Sequence, residues 1–176
     1  NTYASLAYLE KLYMEAILHP DIRILSIATR PDCLSTEILD LLVRLNQIKP
    51  VWVELGLQSI HPQTAAYIRR GYPLSVYDAA VFNLHERGIE VITHVILGLP
   101  GETADDMLAT ADYIAHQPRQ GVKFQLLHVL KGTDLYTDYL GQSFQTLTLD
   151  EYTDILIRCI ELMPPEMVIH RITGDG

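Results

Sequence analysis

From Val91 to Gly98 the chain carries two interleaved sets, Val91, Thr93, Val95 and Leu97 on one parity and Ile92, His94, Ile96 and Gly98 on the other. Successive side chains of a strand point to opposite faces, so a stretch apolar on both parities predicts a strand covered on both sides. Parallel strands of α/β sheets have this character. Gly98-Leu99-Pro100-Gly101-Glu102 ends the strand, because its glycines open backbone conformations closed to other residues and its proline cannot continue a ladder. Thr103, with Asp106 three positions on, supplies a capping-box start for a helix. Buried strand, tight turn and helix in this order make half of a βα unit, and such units place ligands at the carboxyl ends of their strands. The turn at 98–102 is therefore the first place to look for function.

The rest of the chain repeats the alternation. Residues 2–18 read as an amphipathic helix with Thr2 as N-cap and Leu6, Leu9, Tyr13, Ala16 and Ile17 on one face. Ile22 to Ala28 reads as a strand. Ser35 opens a helix with the stripe Ile38, Leu41, Leu42 and Leu45, closed by Lys49-Pro50. Val51 to Leu57 is the next strand: Val51, Val53, Leu55 and Leu57 share one face, Trp52, Glu54, Gly56 and Gln58 the other. Short helices are predicted at 62–70 and 75–87, with Gly88 just past the second, and a longer one at 103–117. Val122 to Leu130 is the fourth strand, with Gln125 and His128 on opposite faces and Lys131-Gly132-Thr133 as its turn. A helix at 149–162 buries Leu149, Tyr152, Leu156, Cys159 and Ile160, and Val168 to Ile172 is a last short strand. Strands alternating with helices argue for an α/β fold, one domain over residues 1–176, with a parallel sheet and right-handed crossovers. There are too few strands for a closed eight-stranded barrel, so the sheet is either open and curved or part of a larger one.

Composition narrows the function classes. A net charge of −9, from 13 Lys and Arg against 22 Asp and Glu, disfavours a nucleic-acid surface, which needs clustered cations. The two cysteines, Cys33 and Cys159, lack the close spacing of a zinc or iron–sulfur site and read as free thiols of a cytoplasmic protein. No apolar run is long enough to span a membrane. The chain starts inside a helical pattern without an initiator Met, the expectation for a fragment.

Three strand ends together resemble a known family. Ser26-Ile27-Ala28-Thr29-Arg30-Pro31-Asp32, Val53-Glu54-Leu55-Gly56-Leu57-Gln58-Ser59 and Ile96-Leu97-Gly98-Leu99-Pro100-Gly101-Glu102 are similar to the second half of a radical S-adenosylmethionine (radical SAM) enzyme. With His170-Arg171-Ile172-Thr173-Gly174-Asp175-Gly176 they resemble its YhcC-like bacterial subgroup, related to elongator-type and coproporphyrinogen-oxidase-type domains. The resemblance covers essentially the whole chain. It implies the C-terminal part of a partial (βα)6 TIM-like barrel, a curved parallel sheet with helices on its outer face. The four main strands would be the third to sixth of that barrel.

The same resemblance implies S-adenosylmethionine and a [4Fe–4S] cluster as cofactors of the full-length protein. The CxxxCxxC segment that holds the cluster is not in this sequence, so no cluster is expected in the fragment and the fragment is expected to be inactive. What it implies for this chain is part of the S-adenosylmethionine pocket. Gln58 matches the Gln that meets the ribose, with Ser59 beside it, and Arg70 matches the Arg that meets the methionine carboxylate. His94 stands where an acidic residue often binds a ribose hydroxyl, Gly98 lines the turn, and Glu54 shares the inward face with Gln58. Taken singly, each has a plainer explanation: Glu54 as a buried carboxylate paired with Arg30 or Arg23, Arg70 as a solvated helix-end charge, His94 as a hydrogen-bonded core histidine.

Two functions follow. In one the full-length protein is a radical SAM enzyme of unknown substrate, with RNA suggested by the relatives alone. In the other the chain is a non-catalytic α/β scaffold or interaction module. In either case the fragment is expected to self-associate as a dimer, because a strand beginning at Ile22 leaves an open sheet edge.

Overall fold

The computed structural model describes residues 1–118 and 120–174. Five strands, β1 (Leu25–Thr29), β2 (Val51–Gln58), β3 (Glu90–Leu97), β4 (Gln120–Leu126) and β5 (Ile169–Arg171), form one sheet in the order β1-β2-β3-β4-β5. The strands are parallel: Leu25 sits opposite Val51 and Thr29 opposite Leu55, while Val122 pairs with Ile169 and Lys123 with Arg171 across an irregularity. Spatial neighbours are sequence neighbours throughout, as the βα alternation predicts. The chain falls into two compact units.

The first unit comprises Asn1–Leu57, Tyr72–Thr93 and the described part of Pro118–Gly121. Its helix α1 (Leu6–Ile17) buries Leu9, Tyr13 and Ile17 and packs on α2 (Thr36–Asn46) and on β1. Helix α2 buries Ile38, Leu39, Leu41, Leu42 and Leu45, and its N-cap Ser35 accepts the Ile38 N–H. In β2 the burial alternates as the sequence requires, with Val51, Val53, Leu55 and Leu57 at or below 1% exposure and the intervening residues half-buried. Each such buried side chain stabilises by about 1.5–3 kcal/mol relative to exposure. A short helix, α3 (Pro62–Tyr67), belongs to the second unit; α4 (Leu74–His85) packs on the 3₁₀ turn Pro31–Cys33 in the first. Gly88, at φ +68°, follows α4 as the glycine past a helix end does.

Two expectations are corrected in this unit. Thr2 caps no helix. Its hydroxyl donates to the Cys33 carbonyl at 2.7 Å and meets Thr29 Oγ1 at 2.7 Å, pinning the segment before α1 to the end of β1. With Thr2 so engaged, the helix starts at Leu6, with Ser5 at its N-cap. Strand β1 starts at Leu25, because the Ile22 N–H is turned back onto the His19 carbonyl at 3.2 Å.

The second unit comprises Gln58–Gly71, His94–Gln117 and the described part of Val122–Gly176. Helix α5 (Ala104–Ala115) begins at the predicted capping box, in which Thr103 and Asp106 exchange side-chain and backbone bonds. Helix α7 (Leu149–Glu161) begins at a second one, Thr148 with Glu151. The two helices pack on each other. Helix α7 buries Tyr152, Ile155, Leu156 and Cys159, whereas Leu149 is 79% exposed because it opens the helix beside its cap.

Strand β4 is shorter than its apolar pattern suggests. It ends at Leu126; the Leu127 N–H bonds the Leu97 carbonyl at 3.0 Å and the chain then leaves the sheet, so His128 is an exposed loop residue and not a strand residue. A short helix with no fully buried residue follows, α6 (Asp134–Leu140), which the sequence pattern does not predict. Its anchors are polar: Tyr67 Oη donates to Asp138 and Arg69 to Asp134, each at 2.6 Å. Of the C-terminal motif, Asp175 and Gly176 lie outside the described residues. Among the described residues no helix is long and apolar enough to cross a membrane.

Candidate functional site

The carboxyl ends of β2 and β3 in the second unit carry the unusual chemistry. Gln58 ends β2 at φ +65°, a left-handed conformation that costs a residue with a Cβ about 1–2 kcal/mol. Its side-chain Oε1 is buried and has no hydrogen-bond donor. A buried acceptor left in that state loses on the order of 1–3 kcal/mol. Both costs fall on one residue, at the place where βα proteins bind ligands.

The next residue is the reverse. Ser59 is 1% exposed and fully bonded: its hydroxyl donates to Glu102 and accepts the His61 N–H at 3.0 Å. Its carbonyl accepts Arg70 Nη1 at 2.6 Å. Arg70 is only 7% exposed, so it is not a solvated charge. It lies past the end of α3, where Arg69 takes φ +54° and the Arg70 N–H returns to the Ala65 carbonyl at 2.9 Å. That reversal directs the guanidinium back under the β2 end.

At the end of β3, Gly98 has φ +85° and its N–H donates to the Met107 thioether at 3.0 Å. A Cβ on Gly98 would stand 3.1 Å from Leu147 Cδ1, so the turn is closed over by a side chain from the segment before α7. The turn continues through Gly101, at φ +84°, to Glu102. His94 is half-buried on β3. Glu54 belongs to the first unit, where it accepts the Ser26 hydroxyl at 2.7 Å. Arg30 does not pair with it. The Arg30 guanidinium grips Asp32 through two bonds of 2.9 and 2.7 Å and lies 5.3 Å from the Tyr72 ring centroid, holding the Asp32 carboxyl below its usual range. The Tyr72 hydroxyl in turn bonds the Gly56 carbonyl.

A cleft of about 410 Å³ opens beside these strand ends, lined by His61, Thr64, Tyr67, Gly101, Glu102 and Asp106 among others. His61 Nε2 lies 2.9 Å from the Asp106 carbonyl oxygen. The Asp106 carboxyl is held low, first by the Thr103 backbone N–H and then by the Thr103 hydroxyl. None of the six residues singled out from the sequence lines this cleft.

The structure thus brings Gln58, Ser59 and Arg70 together and adds Glu102, which sequence reasoning passed over. The signal was present in the acidic residue that closes the Gly-Leu-Pro-Gly turn. Leu147 carried no comparable mark. Among the described residues no group of three or more His, Cys, Asp and Glu stands close enough to hold a metal ion. Cys33 is half-buried and Cys159 buried, both free.

Comparison with known proteins identifies the family. The Radical SAM superfamily model matches residues 2–114 and the Radical_SAM C-terminal domain model residues 119–176. The chain is 42% identical over its full length to the uncharacterized protein YtqA of Bacillus subtilis, covering 55% of that protein. It is 33% identical to protein YhcC of Escherichia coli, covering 57% of it. The chain therefore spans about half the length of the curated relatives it matches. Among solved structures, the archaeal Elp3 of Methanocaldococcus infernus with an N-terminal deletion superposes on 99% of this chain and 46% of its own, with a TM-score of 0.85 at 22% identity, which establishes a common fold. From the models and the relatives together, this chain belongs to the radical SAM superfamily.

Proposed function

We propose that the full-length protein is a radical SAM enzyme and that this chain supplies part of its S-adenosylmethionine pocket at the ends of β2 and β3. The observation that carries the reading is Gln58: a buried carbonyl oxygen without a donor, on a strained backbone, at a strand end. A ribose hydroxyl is a donor of the kind that Oε1 lacks. Gly98 shapes the turn at the end of β3, and His94 offers an imidazole that both donates and accepts. Ser59 follows Gln58 in the chain, and its carbonyl accepts Arg70 Nη1. S-adenosylmethionine, when bound, supplies the radical chemistry; these residues bind and orient its nucleoside. The described residues do not fit the [4Fe–4S] cluster, since no thiolate group is assembled among them, and none is assigned to it.

The test is Gln58→Ala in the full-length protein, titrated calorimetrically with S-adenosylmethionine. Loss of one hydrogen bond to a buried partner weakens binding by about 1–3 kcal/mol, while iron content stays unchanged. Unaltered affinity overturns the reading.

Two further parts of the proposal concern context. A cytoplasmic location is supported by the two free thiols. Self-association of this chain as a dimer is supported by the sheet order, in which β1 has a strand neighbour on one side among the described residues. The acidic balance gives no support to an RNA substrate.

A further inference from the structure

Gln58 takes a backbone conformation that residues with a Cβ avoid, and its side-chain Oε1 finds no donor that would offset this. The compensating contacts all fall on Ser59. Its hydroxyl donates to Glu102 of the β3–α5 turn, the same oxygen accepts the His61 N–H, and its carbonyl accepts Arg70 Nη1. These partners come from three places in the chain, and Ser59 is 1% exposed, so its position is over-determined. A bond from a hydroxyl to a carboxylate and one from a guanidinium to a carbonyl are both charge-assisted, the stronger kind. Gln58 is joined directly to this fixed residue.

We infer that Glu102 and Arg70 are positioning residues: through Ser59 they hold Gln58 in the left-handed conformation and keep its unpaired carbonyl aimed at a nucleoside hydroxyl. The inference rests on the reading of Gln58 given above. It gives Arg70 a positioning role beside the methionine-carboxylate contact that the family resemblance implies, since Nη1 donates to the Ser59 carbonyl. It also gives Glu102 a role that its place on the rim of the cleft would not suggest.

The experiment uses the full-length protein with its cluster reconstituted, as Glu102→Ala, Glu102→Gln, Gln58→Ala and the double variant Glu102→Ala/Gln58→Ala. Two quantities are read: the φ of Gln58 in crystals of the ligand-free variants, and affinity for S-adenosylmethionine by calorimetry. In Glu102→Ala the φ of Gln58 is expected to leave the positive region; in Glu102→Gln it stays, because the carboxamide oxygen still accepts the Ser59 hydroxyl. Affinity is expected to fall about tenfold in Glu102→Ala, the loss of one hydrogen bond, and to recover to within about threefold in Glu102→Gln. In the Gln58→Ala background, Glu102→Ala should cause no further loss. A Gln58 that keeps its positive φ in Glu102→Ala overturns the inference, whatever the titration gives. Equal losses in both backgrounds overturn it as well, because Glu102 then acts independently of Gln58. If φ changes as expected while Gln58→Ala binds normally, the brace stands and the nucleoside reading of Gln58 fails. Should Glu102→Ala not fold, Ser59→Ala removes the same bond, together with the acceptor of the His61 N–H, and is judged by the same two readouts.

Discussion

Tyr77 and Thr93 meet hydroxyl to hydroxyl at 2.6 Å, with neither side chain exposed to solvent. The pair ties α4 to β3 inside the first unit through a buried polar bond. Buried hydroxyls that lose a partner cost more than the bond was worth. Tyr77→Phe and Thr93→Val are each expected to destabilise by about 1–2 kcal/mol in urea denaturation. The double variant should cost less than the sum, because neither hydroxyl is then left without its mate. Strict additivity would show that the two groups are not coupled.

Gly98 is held to glycine by two independent effects. Its φ of +85° strains any residue with a Cβ, and the Cβ would press on Leu147. Gly98→Ala should therefore cost about 1–3 kcal/mol. Adding Leu147→Ala relieves the contact and not the backbone, so recovery should be partial. Thermal unfolding of the three variants separates the two contributions; complete recovery would mean that the backbone term is negligible.

Both capping boxes depend on ionised carboxylates. Asp106 and Glu151 are held below their ordinary values of 3.8 and 4.5, chiefly by the backbone N–H groups of Thr103 and Thr148. The folded protein thus holds these protons less tightly than the unfolded chain. The stabilisation is present above those ordinary values and is lost as pH falls through the lower folded ones. Asp106→Asn and Glu151→Gln should lower Tm at about pH 7, and the gap to the parent should narrow toward zero near about pH 2. A gap that widens on acidification would contradict this sign.

The thiols should differ in reactivity. Burial pushes the Cys159 thiol up to about 11, and burial also raises that of Cys33, which is only partly covered. At about pH 8 a disulfide reagent is expected to modify Cys33 slowly and Cys159 only after unfolding. The purified chain should also be colourless and free of iron, since the cluster ligands of the family are not in its sequence. Stoichiometric iron and sulfide in the purified chain would refute that expectation.

Assembly gives the last prediction. Strand β1 presents Ser26 and Ala28 exposed and Ile27 buried, on an edge with a row of backbone donors and acceptors. The chain is expected to form a dimer at micromolar concentration, and Ala28→Pro, which removes a backbone donor, should weaken it. Sedimentation that finds only monomer in the parent chain would count against the edge as an association surface.

What could be read from the sequence was what is encoded locally. The alternation from Val51 to Gln58 reappears residue by residue in the burial of β2, and the Thr103–Asp106 spacing marks the start of α5. Capping and periodicity need only neighbours a few positions away. Helix α6 was illegible because it is short and buries none of its residues, and its bonds to Tyr67 and Arg69 reach far away in sequence. The end of β4 was misplaced because the apolar run continues after the chain has left the sheet at Leu127. At the candidate site, Gln58 was visible as a residue type at a strand end. Its left-handed backbone was not, since it depends on the contact of Ser59 with Glu102, 43 positions on.

The backbone N–H of Gly98 rests on the sulfur of Met107, which is 2% exposed. Sulfur is a weak acceptor and also an oxidisable one. Conversion to the sulfoxide would put a polar oxygen into a packed layer and change the partner on which this turn rests. The geometry of the Gly98 turn is thereby coupled to the oxidation state of a single thioether, and the burial of that side chain limits the access of oxidant to it.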